Sequence, residues 1–362
     1  MVDTAELRAL GWDDALEEEW QALGSPGSPG RISRLDRGWS TVLTGADPAE
    51  PANVRRVRNI GADVAVGDWV IPSDDGERVD HVMPRRSAFV RRASFEGSRA
   101  EADTLAANID VVFLTHSFGH APNQRRLERE LVLAYDSGAE PVVVLTKADL
   151  VEDPEPARRE LVEVAFGVPV IVTSGHAGAG IEELRSFAAG GRTLAFLGAS
   201  GVGKSTLVNA LLGAHVQATT EVRTGDDRGR HTTVAAELLP LPNGGWLVDT
   251  PGIRALSLWL SGDGIERAFA DVFDLMEHCR FRDCKHDQEP GCAVRAAIAE
   301  GALDPERFAS LERLVAEEVA LEAEQRARTK TGDRRRGGRP PPDASESADS
   351  EDEEDSSESD SR

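Results

Sequence analysis

The chain has 362 residues, which is too long for one small domain and predicts two or three compact units. Hydrophobic residues make up 40% of it and aromatic residues only 5%, so its cores are expected to be mainly aliphatic. The formal net charge of −23 excludes a uniformly basic surface, and any surface that binds nucleic acid has to be a local patch.

The first predicted elements are an amphipathic helix and a barrel. The helix covers Thr4 to Leu23, and a linker rich in Gly, Ser and Pro completes an N-terminal extension over residues 1–30. Residues 31–95 contain short β-rich runs between turns, which predict a small β-barrel. The runs are Trp39–Leu43, Val64–Ile71 and Val79–Met83. Such a barrel is either a fold without a ligand or an oligonucleotide-binding OB-fold, and composition does not separate the two.

Residues 96–262 alternate between strands and helices, which is the pattern of a parallel sheet covered by helices. The predicted strands are Ile109–Thr115, Pro141–Leu145, Val168–Thr173, Thr193–Leu197 and Trp246–Val248. The predicted helices are Pro122–Tyr135, Pro156–Phe166, Ile181–Ala188 and Thr206–Leu212. The sequence therefore predicts an α/β domain in this part of the chain.

Residues 263–326 are expected to be helical, with one helix over Ile265–Glu277 and a longer one from Pro305 to about Arg326. Residues 327–362 are basic, then rich in Pro, then acidic, and are predicted to be disordered. The last twenty residues carry −9 of the net charge, which leaves −14 on the other 342. Neither an apolar run of about 20 residues nor an apolar N-terminal segment occurs, so a cytoplasmic protein is expected.

An octapeptide between a predicted strand and a predicted helix matches the phosphate-binding P-loop. It consists of Gly198, Ala199, Ser200, Gly201, Val202, Gly203, Lys204 and Ser205, and Thr206 continues into the helix. Its glycines let backbone N–H groups surround the β-phosphate at a helix N-terminus, where the helix dipole favours negative charge. Lys204 is expected to contact the β- and γ-phosphates, and the Ser205 hydroxyl is expected to bind Mg²⁺. A purely structural glycine-rich turn is disfavoured by this context.

Two further loops indicate that the base is guanine. One is Thr146-Lys147-Ala148-Asp149, which ends a predicted strand and resembles the Asn/Thr-Lys-x-Asp motif of GTPases. A carboxylate at Asp149 can accept hydrogen bonds from guanine N1–H and N2–H₂, a donor pair that adenine lacks. The other is Thr173-Ser174-Gly175, which resembles the second base-contacting loop with Gly in place of the usual Ala. The two motifs disfavour an ATP-dependent kinase, the alternative that a P-loop alone leaves open.

The remaining GTPase motifs follow the P-loop. Asp249-Thr250-Pro251-Gly252 resembles Asp-x-x-Gly, with Asp249 expected to hold Mg²⁺ through water and the Gly252 N–H to face the γ-phosphate. Gly229-Arg230-His231-Thr232-Thr233 lies in the switch segment, where Thr232 or Thr233 is expected to bind Mg²⁺. An ordinary GTPase begins with the P-loop and ends with the base motifs, whereas here the base motifs come first. The order predicts a circularly permuted P-loop GTPase domain.

The three cysteines of the chain lie close together, and a histidine lies among them. The four residues are Cys279, Cys284, His286 and Cys292. Three thiolates and one imidazole form a closed tetrahedral Zn²⁺ set, so one structural zinc ion is predicted. The alternative, small buried cysteines beside a surface histidine, is disfavoured by the clustering.

The combination of a barrel, a permuted GTPase domain and a Cys-x4-Cys-x-His-x5-Cys segment resembles the small ribosomal subunit biogenesis GTPase family, RsgA. The runs that support it are Gly67-Asp68-Trp69-Val70, Ala107-Asn108-Ile109-Asp110, Gly229-Arg230-His231-Thr232-Thr233 and Asp249-Thr250-Pro251-Gly252-Ile253-Arg254. The resemblance covers about Arg31 to Arg326. It implies a multidomain fold: an OB-fold β-barrel, an α/β circularly permuted P-loop GTPase domain over residues 96–262 and an α-helical zinc-binding domain over residues 263–326.

The resemblance implies a GTPase that acts late in maturation of the 30S ribosomal subunit and is stimulated by that subunit. It implies that the barrel and the zinc-binding domain dock on 16S rRNA, and a monomer is expected. It also implies that His231 and Lys204 are the catalytic residues. Ile253 stands where many GTPases carry a water-orienting Gln, and His231 is expected to take that role because an apolar side chain cannot orient water. The alternative is an rRNA-binding placeholder switch in which hydrolysis is incidental.

Overall fold

The computed structural model describes residues 4–92, 102–118, 123–213, 236–249 and 262–336. The chain divides into two compact units, Met1–Val319 and Ala320–Arg362. The described part of the second unit is helical and ends at Arg336. The predicted domain boundaries at residues 30, 95 and 262 stay predictions.

The N-terminal extension forms two helices, α1 (Thr4–Ala9) and α2 (Asp14–Ala22). The prediction of one helix over Thr4 to Leu23 is therefore wrong in the middle. Gly11 interrupts the helix with a φ of 94°, a conformation that L side chains rarely adopt. The Asp13 carboxylate accepts a hydrogen bond from the Leu16 N–H at 2.9 Å and so starts the second helix.

The barrel is built from five strands that the structure describes. They are β1 (Gly30–Asp36), β2 (Trp39–Leu43), β3 (Val54–Arg58), β4 (Trp69–Pro72) and β5 (Val79–Val82). They pair in the order β3-β2-β1-β4-β5, and a bridge between Arg58 and Arg78 joins the two ends. Ile32, Val42 and Val57 pack inside the barrel, where they are fully buried.

The predicted strand Val64–Ile71 is wrong in its first half, because Ala65–Asp68 form a turn. The Asp68 N–H donates to the Ala65 carbonyl at 3.2 Å, and the Asp68 carboxylate accepts from the Ala65 N–H at 2.7 Å. After the barrel, β6 (Ala88–Arg92) and β7 (Ala102–Ala107) pair as antiparallel neighbours.

A second set of strands forms an α/β sheet with the order β10-β9-β8-β11-β13-β12. Its strands are β8 (Val111–Ser117), β9 (Glu140–Thr146), β10 (Val170–Val172), β11 (Thr193–Gly198), β12 (Glu237–Pro240) and β13 (Trp246–Asp249). Its helices are α3 (Gln124–Ser137), α4 (Glu155–Val164), α5 (Ile181–Ser186) and α6 (Lys204–Leu212). The strands pair in parallel except β12, which runs antiparallel to β13 and meets β1 of the barrel at Arg34 and Glu237.

Alternate residues of β8 supply the two cores of this sheet. Val111 and Phe113 lie in the cluster that contains residues of α5 and α6, whereas Val112 and Leu114 lie in the cluster that contains residues of α3. Since both faces are covered, β8 is buried throughout and β9 is buried from Pro141 onward, as their continuous apolar runs predict.

The helical region consists of α7 (Gly262–Ala268), α8 (Ala270–Glu277), α9 (Ala293–Glu300) and α10 (Pro305–Arg336). A single helix over Ile265–Glu277 is wrong, because the chain breaks at the buried Phe269. The Arg307 guanidinium donates to the Ala268 carbonyl at 2.8 Å and stabilises that break. Helix α10 extends ten residues beyond the predicted end at Arg326, so residues 327–336 are helical rather than disordered.

Among the helices that the structure describes, none has the length and apolar character needed to cross a membrane.

Candidate functional site

The topology of the sheet brings the predicted nucleotide loops to one edge. From β8 the chain moves outward through β9 to β10, and then returns to place β11 and β13 on the other side of β8. Open α/β sheets bind ligands at the carboxyl ends of the strands, at the point where this direction reverses. The carboxyl ends of β9, β10, β11 and β13, with the loops that follow β9, β10 and β11, carry the two base motifs, the P-loop and Asp249.

The P-loop begins where β11 ends and leads into α6. Gly198 is the last strand residue, and its φ of 148° lies outside the usual range for L side chains. A Cβ at Gly198 would also lie 2.5 Å from the Thr115 carbonyl oxygen, so a side chain has no room there. The loop leaves the N-terminus of α6 facing the same strand edge, where its N–H groups can bind phosphate.

Lys204 is the first residue of α6, and only 8% of its surface is exposed. Its ammonium donates to the Gly198 carbonyl at 2.7 Å and also to the Ala199 carbonyl. The cation therefore lies within the P-loop, where it can reach a bound phosphate by a rotation of its side chain. Ser205 and Thr206 follow in the first turn of the helix and are half-buried.

The first base motif is hydrogen-bonded directly to the P-loop. The Thr146 hydroxyl donates to the Val202 carbonyl, and the Lys147 ammonium donates to the Gly201 carbonyl at 2.7 Å. Lys147 has a left-handed φ of 64°, which turns the chain at the end of β9. These bonds tie the predicted base-binding loop directly to the predicted phosphate-binding loop.

The second base motif supports Asp149. The Ser174 hydroxyl donates to the Asp149 carboxylate, and this bond holds the pKa of the carboxyl group below its ordinary value. The Ala148 N–H donates to the Thr173 carbonyl at 3.1 Å, which ties the two loops together along the backbone. Asp149 thus stays ionised at the edge of the site, in the form that accepts hydrogen bonds.

Asp249 is the last residue of β13 and is half-buried at the same strand edge. The other switch residues that the sequence analysis named, His231, Thr232, Thr233 and Gly252, lie outside the described residues. The structure therefore brings together the P-loop, both base motifs and Asp249.

The four predicted metal ligands meet in the helical region. Their ligand atoms lie within 4.8 Å of one another. His286 Nδ1 is 3.6 Å from Cys279 Sγ and 3.4 Å from Cys292 Sγ, and the two sulfurs are 4.0 Å apart. Tetrahedral bonds of about 2.3 Å to sulfur and 2.0 Å to nitrogen give ligand separations of this size. The donor set fits a single tetrahedral metal ion.

The local fold holds these ligands in place. Cys279 follows the end of α8, and Cys292 is the N-cap of α9, where its sulfur accepts from the Arg295 N–H at 3.5 Å. Burial raises the pKa of the Cys279 thiol, but hydrogen bonds from backbone N–H groups of α9 and from the Cys284 and Cys292 side chains together lower the pKa overall. His286 has a left-handed φ of 60°, which turns its ring toward the sulfurs.

The structure also shows an aromatic and basic face on the barrel that the sequence analysis missed. The guanidinium groups of Arg56 and Arg58 each lie 5.2 Å from the centre of the Trp39 ring. The three residues are not neighbours in the sequence, because Trp39 belongs to β2 and the arginines to β3. The alternation of Arg56 and Arg58 along one strand is the signal that could have placed them on one face.

Residues 82–259 match the sequence model of the RsgA GTPase family. A protein of Streptomyces coelicolor named small ribosomal subunit biogenesis GTPase RsgA is 42% identical over 337 residues, which cover 90% of this chain and 90% of that protein. The chain belongs to the RsgA GTPase family. As a member of that family, it is a GTP hydrolase.

Two solved structures have a fold similar to that of this chain. The crystal structure of YjeQ from Thermotoga maritima has a TM-score of 0.58 and 26% sequence identity, and the match covers 81% of this chain and 98% of that chain. YloQ, described as a circularly permuted GTPase, has a TM-score of 0.59 and 24% identity, with 81% and 95% of the two chains covered. The chain thus has the multidomain fold in which a β-barrel and a helical Cys/His region accompany a circularly permuted GTPase domain.

Proposed function

We propose that this chain hydrolyses GTP during late maturation of the small ribosomal subunit, and that the subunit stimulates hydrolysis. The observation that carries the proposal is the direct hydrogen bonding of the guanine motif, through Thr146 and Lys147, to the P-loop. A site with this connection holds a base and a phosphate chain at a fixed separation. The names of the relatives supply the subunit as the partner.

The site residues divide the work of binding between base and phosphate. Asp149 accepts from guanine N1–H and N2–H₂, and the backbone N–H of Gly175 donates to O6. Lys204 stabilises the negative charge on the β- and γ-phosphates. Mg²⁺, when bound with GTP, neutralises phosphate charge, and its ligands would be the Ser205 hydroxyl and a switch threonine, with Asp249 acting through water.

Hydrolysis needs a group that orients the attacking water. Ile253 is apolar and cannot do so, whereas His231 in the switch segment carries a ring nitrogen that can. The proposal therefore assigns this role to His231, and to Thr232 or Thr233 a place among the Mg²⁺ ligands.

The partner and metal assignments belong to the same proposal. Trp39 with Arg56 and Arg58 offers the barrel a surface that suits RNA, because an aromatic face stacks on bases and guanidinium groups bind phosphates. The metal in the Cys/His cluster is proposed to be one structural Zn²⁺, since three thiolates and one imidazole favour zinc. A monomer in the cytoplasm, where ribosomes assemble, fits this work.

Phosphate release with and without purified small subunits tests the proposal. Wild-type protein is expected to turn over GTP slowly alone and at least about tenfold faster with subunits, the scale of a barrier change near 1.4 kcal/mol. Lys204→Ala should abolish both rates, and His231→Ala should lose the stimulated rate while keeping GDP binding. GTP turnover that subunits do not accelerate would instead favour a placeholder that binds rRNA and hydrolyses GTP incidentally.

A further inference from the structure

The base loop, Thr173-Ser174-Gly175, carries Gly175 where GTPases usually have Ala. The backbone conformation at this position does not require a glycine. The φ of Gly175 lies outside the left-handed region, so an L side chain could adopt its conformation. What excludes a side chain is space. A Cβ built on Gly175 would lie 2.7 Å from Cγ2 of Thr206, 3.4 Å from its Cβ and 3.5 Å from its carbonyl carbon.

Thr206 is well placed to fill this space permanently. It lies in the first turn of α6, directly after the P-loop residues Lys204 and Ser205. A threonine in a helix has few χ1 rotamers, because its branched Cβ meets the preceding turn. Its methyl group therefore cannot move away from the base loop as freely as the end of a long side chain could.

We infer that Gly175 and Thr206 form a size-complementary pair that sets the position of the guanine-binding loop relative to the P-loop. In this chain the methyl group that packs at the base loop comes from the phosphate-binding helix rather than from the loop itself. Thr206 is thus a positioning residue for base recognition. The inference rests on the proposed function, because it assigns the Gly175 N–H to guanine O6.

Other contacts hold the base loop on its remaining sides. The Ser174 N–H donates to the Ala179 carbonyl at 3.0 Å, and the Ser174 hydroxyl accepts from the Ala177 N–H at 3.1 Å while bonding Asp149. A methyl group added at Gly175 cannot push the loop aside without disturbing these bonds. The added bulk should therefore move the Gly175 N–H away from O6 and weaken guanine binding.

A double-mutant cycle on GDP affinity tests the pair. Gly175→Ala is expected to weaken GDP binding about tenfold, because overpacking by one methyl group typically changes an equilibrium constant by about that much. Thr206→Ser removes Cγ2 but keeps the hydroxyl, and it should weaken binding only about twofold. The double variant is expected to return to within about twofold of wild type, because the new Cβ then occupies the vacated space.

Two further measurements separate positioning from folding. The preference for GDP over ADP should fall in Gly175→Ala and recover in the double variant, and thermal unfolding of the nucleotide-free proteins should show that every variant is folded at the temperature of the binding measurements. Gly262→Ala is the matched control: its Cβ would lie 3.6 Å from the nearest atom, and it should bind GDP as wild type does.

The outcomes distinguish this inference from the proposed function. Tight GDP binding by wild type with strictly additive effects of the two substitutions would overturn the pair alone. Failure of the wild-type protein to bind GDP would overturn both.

Discussion

At the scale of single residues, the proposed selection of guanine depends on Asp149 and on the hydroxyl group of Ser174 beside it. The Ser174 hydroxyl donates to the Asp149 carboxylate and lowers the pKa of that carboxyl group. The carboxylate is therefore ionised well below neutral pH and presents only acceptors. Guanine offers it two adjacent N–H donors, while adenine offers none at the same positions.

Asp149→Asn is expected to change which base the site accepts. The amide replaces one acceptor by an NH₂ donor, which opposes the guanine N2–H₂ but complements the C2 carbonyl of xanthine. Losing hydrogen bonds to a charged acceptor should weaken GDP binding by about a hundredfold, and xanthosine diphosphate should bind more tightly than it does to wild type. Competition binding with both nucleotides measures this change.

The control for this substitution is Glu152→Gln, which makes the same acid-to-amide change at an exposed position three residues later. It should leave both affinities as they are in wild type. An Asp149→Asn variant that keeps the wild-type order of preference would show that the carboxylate does not contact the base.

The sequence predicts those features whose residues are close together along the chain, and it does not predict contacts between distant residues. The P-loop was predictable because its strand end, glycines and helix start occupy eight consecutive residues. The bond from Thr146 to the Val202 carbonyl joins residues 56 positions apart, and no spacing rule encodes it. The close approach of Thr206 to Gly175 likewise depends on how α6 packs beside the β10 loop.

At the scale of elements, the two N-terminal helices belong to the core of the first unit, although the family resemblance began only at Arg31. Leu10 and Trp12 are almost fully buried, and Trp12 packs edge-on against Trp69 of β4, with 4.9 Å between the ring centres. The Trp246 indole N–H donates to the Ala9 carbonyl at 2.9 Å. The extension thus contacts the barrel and, through Trp246, the start of the strand that ends at Asp249.

Trp12→Ala is expected to destabilise the protein by about 3–5 kcal/mol, the usual cost of truncating a large buried aromatic side chain. Chemical denaturation of the two proteins measures the free energy of unfolding. Leu23→Ala is the control, because Leu23 is 48% exposed and should change the stability by less than about 0.5 kcal/mol. Equal stabilities for the two variants would mean that the extension does not pack on the barrel.

The predicted elements failed where tertiary contacts replace helical hydrogen bonds. Strand β2 was predicted at its observed bounds, Trp39–Leu43, because turns bound a short β-rich run. The helix over Ile265–Glu277 breaks at Phe269, where Arg307, 39 residues along the chain from Ala268, donates a hydrogen bond to the Ala268 carbonyl. The apolar periodicity of the segment continues through the break, so the pattern alone indicates one helix.

At the scale of the whole first unit, helix α3 connects the nucleotide-binding sheet to the helical region that holds the Cys/His cluster. Glu128 of α3 is fully buried, and it accepts from Arg307 at 3.1 Å and from the Ser310 hydroxyl. Arg307 also donates to the Asp271 carboxylate of α8 at 2.8 Å. Its guanidinium carbon lies 4.2 Å from the centre of the Phe269 ring. One buried guanidinium therefore joins α3, α7, α8 and α10.

Arg307→Met is expected to destabilise the protein by about 3–5 kcal/mol, because it leaves the Glu128 carboxylate buried without its cation. Adding Glu128→Gln should restore part of the loss, since the remaining group is then neutral. Helices α3 and α10 also share an exposed pair, Arg125 and Glu306 at 3.5 Å, and Arg125→Gln should cost less than about 1 kcal/mol. Chemical denaturation compares the three variants. Equal losses for Arg307→Met and Arg125→Gln would contradict the prediction, because of these two pairs between α3 and α10 only the one with Arg307 is desolvated.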